Sequence, residues 1–148
     1  EGENALIKIL DGKANEKTVK GEYIKDLDSL PKINRDLMDI KYYQKAKDRN
    51  PGSHLHFVPS NTRLNSIIGT RGCPFNCIFC HNSWRGLPTR MNSAKHIIDE
   101  MKELEQKYGT EAVFLWMIIF YSIKKELWNS ADYTGKRILR LYGVAKQW

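Results

Sequence analysis

"RLNSIIGTRGCPFNCIFCH", residues 63–81, decides the fold. Its first half, 63–72, reads as a strand that ends in glycine, and its second half is a loop that holds Cys73, Cys77 and Cys80. A second loop, "NSWRGLPTRMN", follows with Gly86 and Pro88. The clearest helix of the chain is "SAKHIIDEMKELEQKYG", 93–109. There Ile97, Ile98, Met101, Leu104 and Tyr108 fall on one face, while Lys95, Asp99, Lys102, Glu103 and Glu105 fall largely elsewhere. Asn92 or Ser93 can cap its start and Gly109 can close it. The apolar run at 112–120 then reads as a fully buried strand with Trp116 in the core. Strand, long loop, helix, strand is one right-handed crossover unit of a parallel sheet, so the fold class is α/β. In such sheets the working loops lie beyond the C-terminal ends of the strands, where the cysteine loop falls.

These three cysteines are all that the chain has. An odd number argues against a secreted disulfide framework, and the tight cluster favours a reducing, cytoplasmic compartment and metal chemistry. Thiolates bind soft metals and iron–sulfur clusters. Cys77 and Cys80 lie about one helical turn apart, so both sulfurs can lean toward one point, and Cys73 can reach that point from a loop begun by Gly72 and Pro74. Such a wrap can hold three corners of a cubic cluster, and the fourth iron then has no cysteine from this chain. An open coordination position is where a substrate or cofactor binds. Phe75, Ile78 and Phe79 are apolar and would help to dry the site. Zinc is the competing reading: the three thiols and a histidine could make a tetrahedral site. His81 follows Cys80 directly and would usually point away from its neighbour's target, and His54 and His56 are remote from the loop.

Composition sets the frame. With 148 residues there is room for one domain, or for one domain and a piece of another. A mean hydropathy of −0.54 with 41% hydrophobic residues reads as soluble and globular rather than disordered. The longest apolar run, 112–121, is about half the ~20 residues that a membrane-spanning helix needs. The formal charge of +7 is uneven. Residues 121–148 carry six bases against two acids, and this basic tail is either a solvated face or a contact for nucleic acid or another acidic partner.

Before the strand the texture is different. "NALIKIL" followed by "DG" reads as the last turns of an amphipathic helix stopped at Gly12. Residues 13–22 are polar and turn-prone, Pro31 breaks any helix before it, and a short helical piece is expected near 34–46. Beyond Phe120 the sequence reads as two short helices split near Gly135, with Ile138, Leu139, Leu141, Tyr142 and Val144 as an apolar side. His96 reads as a surface or packing residue. Arg71, Arg85 and Arg90 bracket the cysteine loop and could each meet a carboxylate or phosphate, although an isolated arginine is more often solvated. Trp84 could shield the loop or pack in the core.

The spacing Cys73-x-x-x-Cys77-x-Phe79-Cys80 resembles the signature of the radical S-adenosylmethionine superfamily. "IIGTRGCPFNCIFCHNSWRG" together with "TRMNSAKHIIDEMKELEQKYGTEAVFL" resembles the branch whose members carry an N-terminal cobalamin-binding domain. "EGEN" resembles the entry to the last helix of such a domain, and "LDSLPKINRDLMD" its linker into the radical domain. The resemblance implies an incomplete (β/α) partial barrel preceded by a helical linker. Residues 1–20 would be the remnant of a cobalamin-binding-like domain, 21–62 the linker and 63–148 the first portion of the barrel; the chain reads as a fragment of a longer protein. It further implies that Cys73, Cys77 and Cys80 hold a 4Fe–4S cluster whose unique iron binds S-adenosylmethionine, with Phe79 against the adenine. The implied activity is reductive cleavage of S-adenosylmethionine to a 5′-deoxyadenosyl radical, or cobalamin-linked methyl transfer, fed by an electron donor such as flavodoxin or ferredoxin. Two features depart from the family. The second strand ends in Met117-Ile118-Ile119-Phe120, where the family usually carries an acidic pair, and the chain has room for about two of six strand–helix units.

Overall fold

A computed structural model describes residues 1–44, 62–81, 87–116 and the backbone of 140–143. Helix α1 spans Gly2–Leu10, and two single 3₁₀ turns follow at Leu27–Ser29 and Arg35–Leu37 before the short α2, Ile40–Gln44. Strand β1 is Leu64–Ile68, and a two-residue ladder joins β2, Thr70–Arg71, to β3, Arg90–Met91. Helix α3, Ala94–Tyr108, leads to β4, Ala112–Trp116, and β5 is Arg140–Gly143. The sheet order is β1-β4-β5, with both pairings parallel. Leu64 sits opposite Ala112 and Ile68 opposite Trp116. This is the expected strand–helix–strand unit. Among the described residues the sheet is open and no barrel closes.

The core follows from two periodicities. Ile97, Met101 and Leu104, on one stripe of α3, pack on Ile67 of β1 and on Val113 and Leu115 of β4, with Ile98 and Tyr108 at the margin. Phe114 and Ala112, on the other face of β4, are buried too, as a strand covered on both sides requires. Helix α3 is closed at both ends as anticipated. The Ser93 hydroxyl accepts from the His96 amide at 3.1 Å, and Gly109, at φ 62°, donates its amide to the Glu105 carbonyl at 3.0 Å.

Three expectations change. Trp116 is 46% exposed rather than core: it stands at the end of β4, edge-on to Phe114 with ring centroids 4.7 Å apart. Residues 140–143, expected in a helix, form a strand instead. Their backbone pairs with β4, whose apolar edge would otherwise be left without hydrogen bonds. Helix α1 forms and ends before Gly12, at φ 67°, yet Leu6, Ile7 and Leu10 face outward and only Ala5 is buried.

The described part of the segment expected to be a linker packs as a strap along α3. Asp28 accepts from the Ser93 amide at 2.9 Å, beside the first turn. Lys32 pairs with Glu103, and Arg35 pairs with Glu100 in a buried contact of 2.5 Å. Asp36 binds Lys107 and accepts from the Tyr108 hydroxyl, and the Gln44 amide donates to the Tyr108 carbonyl at 3.2 Å. The contacted positions 93, 100, 103 and 107 are seven, three and four residues apart, so they lie along one side of the helix. Leu27 and Ile40 supply the buried apolar contacts of the strap.

Candidate metal centre

The cysteine loop is the excursion between β2 and β3. The β1 chain passes through Gly69, whose amide donates to the Trp116 carbonyl at 3.0 Å, and turns into β2. Arg71 then pairs in register with Arg90, so both limbs of the loop leave the same two-residue ladder. Gly72 opens the excursion at φ 93°. A Cβ there would meet the Thr89 Cα at 3.3 Å and the Pro88 carbonyl oxygen at 3.4 Å, so conformation and the closeness of the limbs both call for glycine.

Cys73 and Cys77 are half-buried, Cys80 is exposed, and none is in a disulfide. The Cys80 amide donates to the Cys77 carbonyl at 3.2 Å, which sets the two residues at either end of a single turn, as their spacing anticipates. The apolar fillers do not form a dry wall within the described residues: Phe75 is exposed, Ile78 is 98% exposed and Phe79 82%. Nor are the sulfurs drawn into a closed ligand set. Among the described residues no group of three or more His, Cys, Asp or Glu side chains is arranged to hold a metal ion. The donors fit an iron–sulfur cluster in kind and number: three soft, unbridged thiols on eight consecutive residues, at the end of a parallel strand. His81 is exposed and joins no such group.

The base of the loop is held by two of the bracketing arginines, each meeting a carboxylate, and by partners that local sequence did not single out. Arg90 is buried, not solvated. Its Nη1 donates to Glu1 Oε2 at 2.7 Å and to the Ile24 carbonyl at 2.5 Å, and its guanidinium lies 4.0 Å from the centre of the Tyr23 ring. The Tyr23 hydroxyl donates to the Pro88 carbonyl at 2.7 Å. Arg71 pairs with Glu3 at 2.5 Å. Burial alone would raise the Glu1 carboxyl. The hydrogen bonds from Arg90 and the Ile24 amide and the charges of Arg90 and Arg71 outweigh it and hold the group below the usual carboxylate range. No local signal marks these partners, because Glu1 and Arg90 are 89 residues apart.

His96 lies partly buried at the start of α3, its Nδ1 3.7 Å from Asp28. A cavity of about 120 Å³ beside it is lined by Leu30, Ile33, Ile68 and Arg71 but by no cysteine. It is below the roughly 300–1,000 Å³ of small-molecule sites. His54, His56, Trp84, Arg85, the 117–120 strand end and all of the basic tail except the 140–143 backbone lie outside the described residues. No helix among the described residues is long and apolar enough to cross a membrane.

Fold and loop together define a parallel βαβ unit of the α/β class with a thiol-rich loop beyond its first strand. Residues 67–118, from inside β1 through the cysteine loop and α3 to just past β4, match the Radical SAM superfamily. It is similar to an uncharacterised methyltransferase of Pyrococcus horikoshii, 30% identical over 96 residues, covering 61% of this chain and 17% of the relative. It is also similar to the bacteriochlorophyllide d C-8(2)-methyltransferase of Chlorobaculum tepidum, 29% identical over 140 residues, covering 89% of this chain and 29% of the relative. The chain thus spans less than a third of the length of either curated relative. No solved structure matches it at a comparable level of significance.

Proposed function

We propose that this chain is the cluster-holding segment of a radical S-adenosylmethionine methyltransferase. Cys73, Cys77 and Cys80 would hold a 4Fe–4S cluster, and Phe79 would lie beside the adenine of S-adenosylmethionine. Residues 1–20 would be the end of a cobalamin-binding-like domain, 21–62 the connection and 63–148 the start of a partial barrel. The observation that carries the reading is the placement of three unbridged thiols at the C-terminal end of β1, inside the segment that matches the superfamily. The two methyltransferase relatives point to methyl transfer as the outcome.

When bound, such a cluster would supply one electron to the sulfonium of S-adenosylmethionine, whose C5′–S bond would break to methionine and a 5′-deoxyadenosyl radical; in cobalamin-linked methyl transfer a reduced cobalamin of the longer protein would take the methyl group as nucleophile and leave S-adenosylhomocysteine. The chain's own part is to bind and orient. Three thiolates leave one iron for the amino and carboxylate groups of S-adenosylmethionine. The exposed rings of Phe75 and Phe79 offer apolar area to a planar base. The electron would come from a donor of the flavodoxin or ferredoxin class. The methyl acceptor would be met by strands and loops of the longer protein.

Anaerobic reconstitution with iron and sulfide tests the reading. The expected product is brown and holds about four irons per chain. Reductant and S-adenosylmethionine should then yield 5′-deoxyadenosine, and the triple Cys→Ala variant should yield neither colour nor product. A colourless protein that refuses iron and takes up one tightly held zinc would overturn it.

A further inference from the structure

Both limbs of the cysteine loop are tied to one N-terminal element. On the outgoing limb, Arg71 pairs with Glu3 and lies 3.7 Å from Glu1 Oε1. On the returning limb, Arg90 binds the other oxygen of the same Glu1 carboxylate, and Pro88 is held by the Tyr23 hydroxyl. Glu1 therefore bridges the two limbs at the ladder from which they diverge. The Glu1 and Arg90 side chains are only 4% and 6% exposed. The short charge-assisted contact between two groups so enclosed leaves little freedom, so it fixes a definite arrangement rather than a loose tether. The adjoining segment 21–24 is seated just as closely, since a Cβ on Gly21 would fall 1.7 Å from the Glu1 carbonyl oxygen. Beyond the ladder the apolar side chains of the described part of the loop, Phe75, Ile78 and Phe79, are exposed and bury no core of their own.

We infer that Arg90 is a positioning residue for the cysteine loop. It acts through Glu1 and Tyr23 to hold the loop's two limbs in register, and so sets the place from which Cys73, two residues beyond Arg71, approaches a bound cluster. The inference rests on the reading of the three cysteines as cluster ligands, but its first test needs no metal. In the iron-free chain, Arg90→Ala should speed hydrogen exchange at the amides of 72–81. Arg90→Lys, which keeps the charge toward Glu1 and the Ile24 carbonyl, should restore most of the protection. Tyr23→Phe, which removes only the bond to Pro88, should give a smaller change of the same sign. Leu104→Ala weakens the core without touching the clamp and controls for general loss of stability.

In the reconstituted protein, Arg90→Ala should release iron to a chelator about 10–100-fold faster, the range for residues that orient ligands. It should also broaden the electron paramagnetic resonance signal of the reduced cluster, again with rescue by lysine. Unchanged exchange at 72–81 in Arg90→Ala, or an equal change in Leu104→Ala, overturns the inference. Failure of the wild-type chain to take up iron overturns the cluster reading instead, and leaves the exchange result to decide whether the clamp exists.

Discussion

Arg35 and Glu100, 65 residues apart in sequence, meet in a buried ion pair of 2.5 Å, and the same guanidinium donates to the Ser66 carbonyl of β1 at 3.3 Å. One side chain thus joins the strap, the helix and the first strand. Removing a single partner strands the other charge. We expect Glu100→Ala to cost about 3–5 kcal/mol in urea unfolding, and the double change Arg35→Met with Glu100→Leu to cost far less. Equal losses for the single and double variants would contradict this.

The α3 stripe gives a second expectation. Leu104 and Ile97 are fully buried between helix and sheet. Leu104→Ala should lower stability by about 2–5 kcal/mol, and Ile97→Val by about 0.5–1.5 kcal/mol. At the exposed Lys95–Asp99 pair, Lys95→Ala should change it by less than about 0.5 kcal/mol. Denaturant midpoints of the three variants provide the comparison.

Glycine positions separate conformation from space. Gly72→Ala places a side chain at φ 93° against the Thr89 backbone and should cost at least about 1–2 kcal/mol, with faster exchange in the cysteine loop. Gly2→Ala meets nothing within 4 Å inside α1 and should be neutral or stabilising by up to about 1 kcal/mol. Thermal unfolding of both variants checks the contrast.

Acid should undock the N-terminal element before the core. Hydrogen bonding and the Arg71 guanidinium hold the Glu3 carboxyl below its ordinary value, and Glu1 lies low for the reasons already given. For Asp28, burial pushes upward, but bonds from Ser93 and Asn92 outweigh it. A carboxylate lowered on folding stabilises the fold above its unfolded value, near 4, and that contribution is lost as pH falls through the lower folded value. Protection of residues 1–44 from proteolysis or hydrogen exchange should hold from pH 7 to about pH 5 and fall below about pH 4. A transition centred above pH 6 would count against these groups.

What could be read from sequence was what local pattern encodes. The helix at 93–109 carries its cap, its stripe and its terminal glycine within one window, and it forms as read. The same holds for the parallel pairing of β1 and β4, which a strand–helix–strand order almost dictates. The cysteine spacing marked the loop, whereas the exposure of Phe79 and the spread of the three thiols depend on what surrounds them. Arg90 was marked as an arginine beside the loop that could meet a carboxylate, but its burial was not legible, because its partners Glu1, Tyr23 and Ile24 are brought to it only by the tertiary fold. That the expected linker packs as a strap was not legible for the same reason: its charges show no period of their own and match the spacing of another element. Residues 140–143 went wrong because short apolar runs serve a helix face or a strand equally well, and the edge of β4 decided between them.

The strap also bears on how the chain is made. Its hydrogen-bond partners on and just beyond α3 lie some 64 to 72 residues downstream. At about 5–20 residues per second, a ribosome delivers those partners roughly 3–14 s after the strap has left the exit tunnel. During that interval Leu27 and Ile40 have no helix to cover them, so the nascent N-terminal segment must stay solvated or be shielded by a chaperone until α3 and its strands have come together.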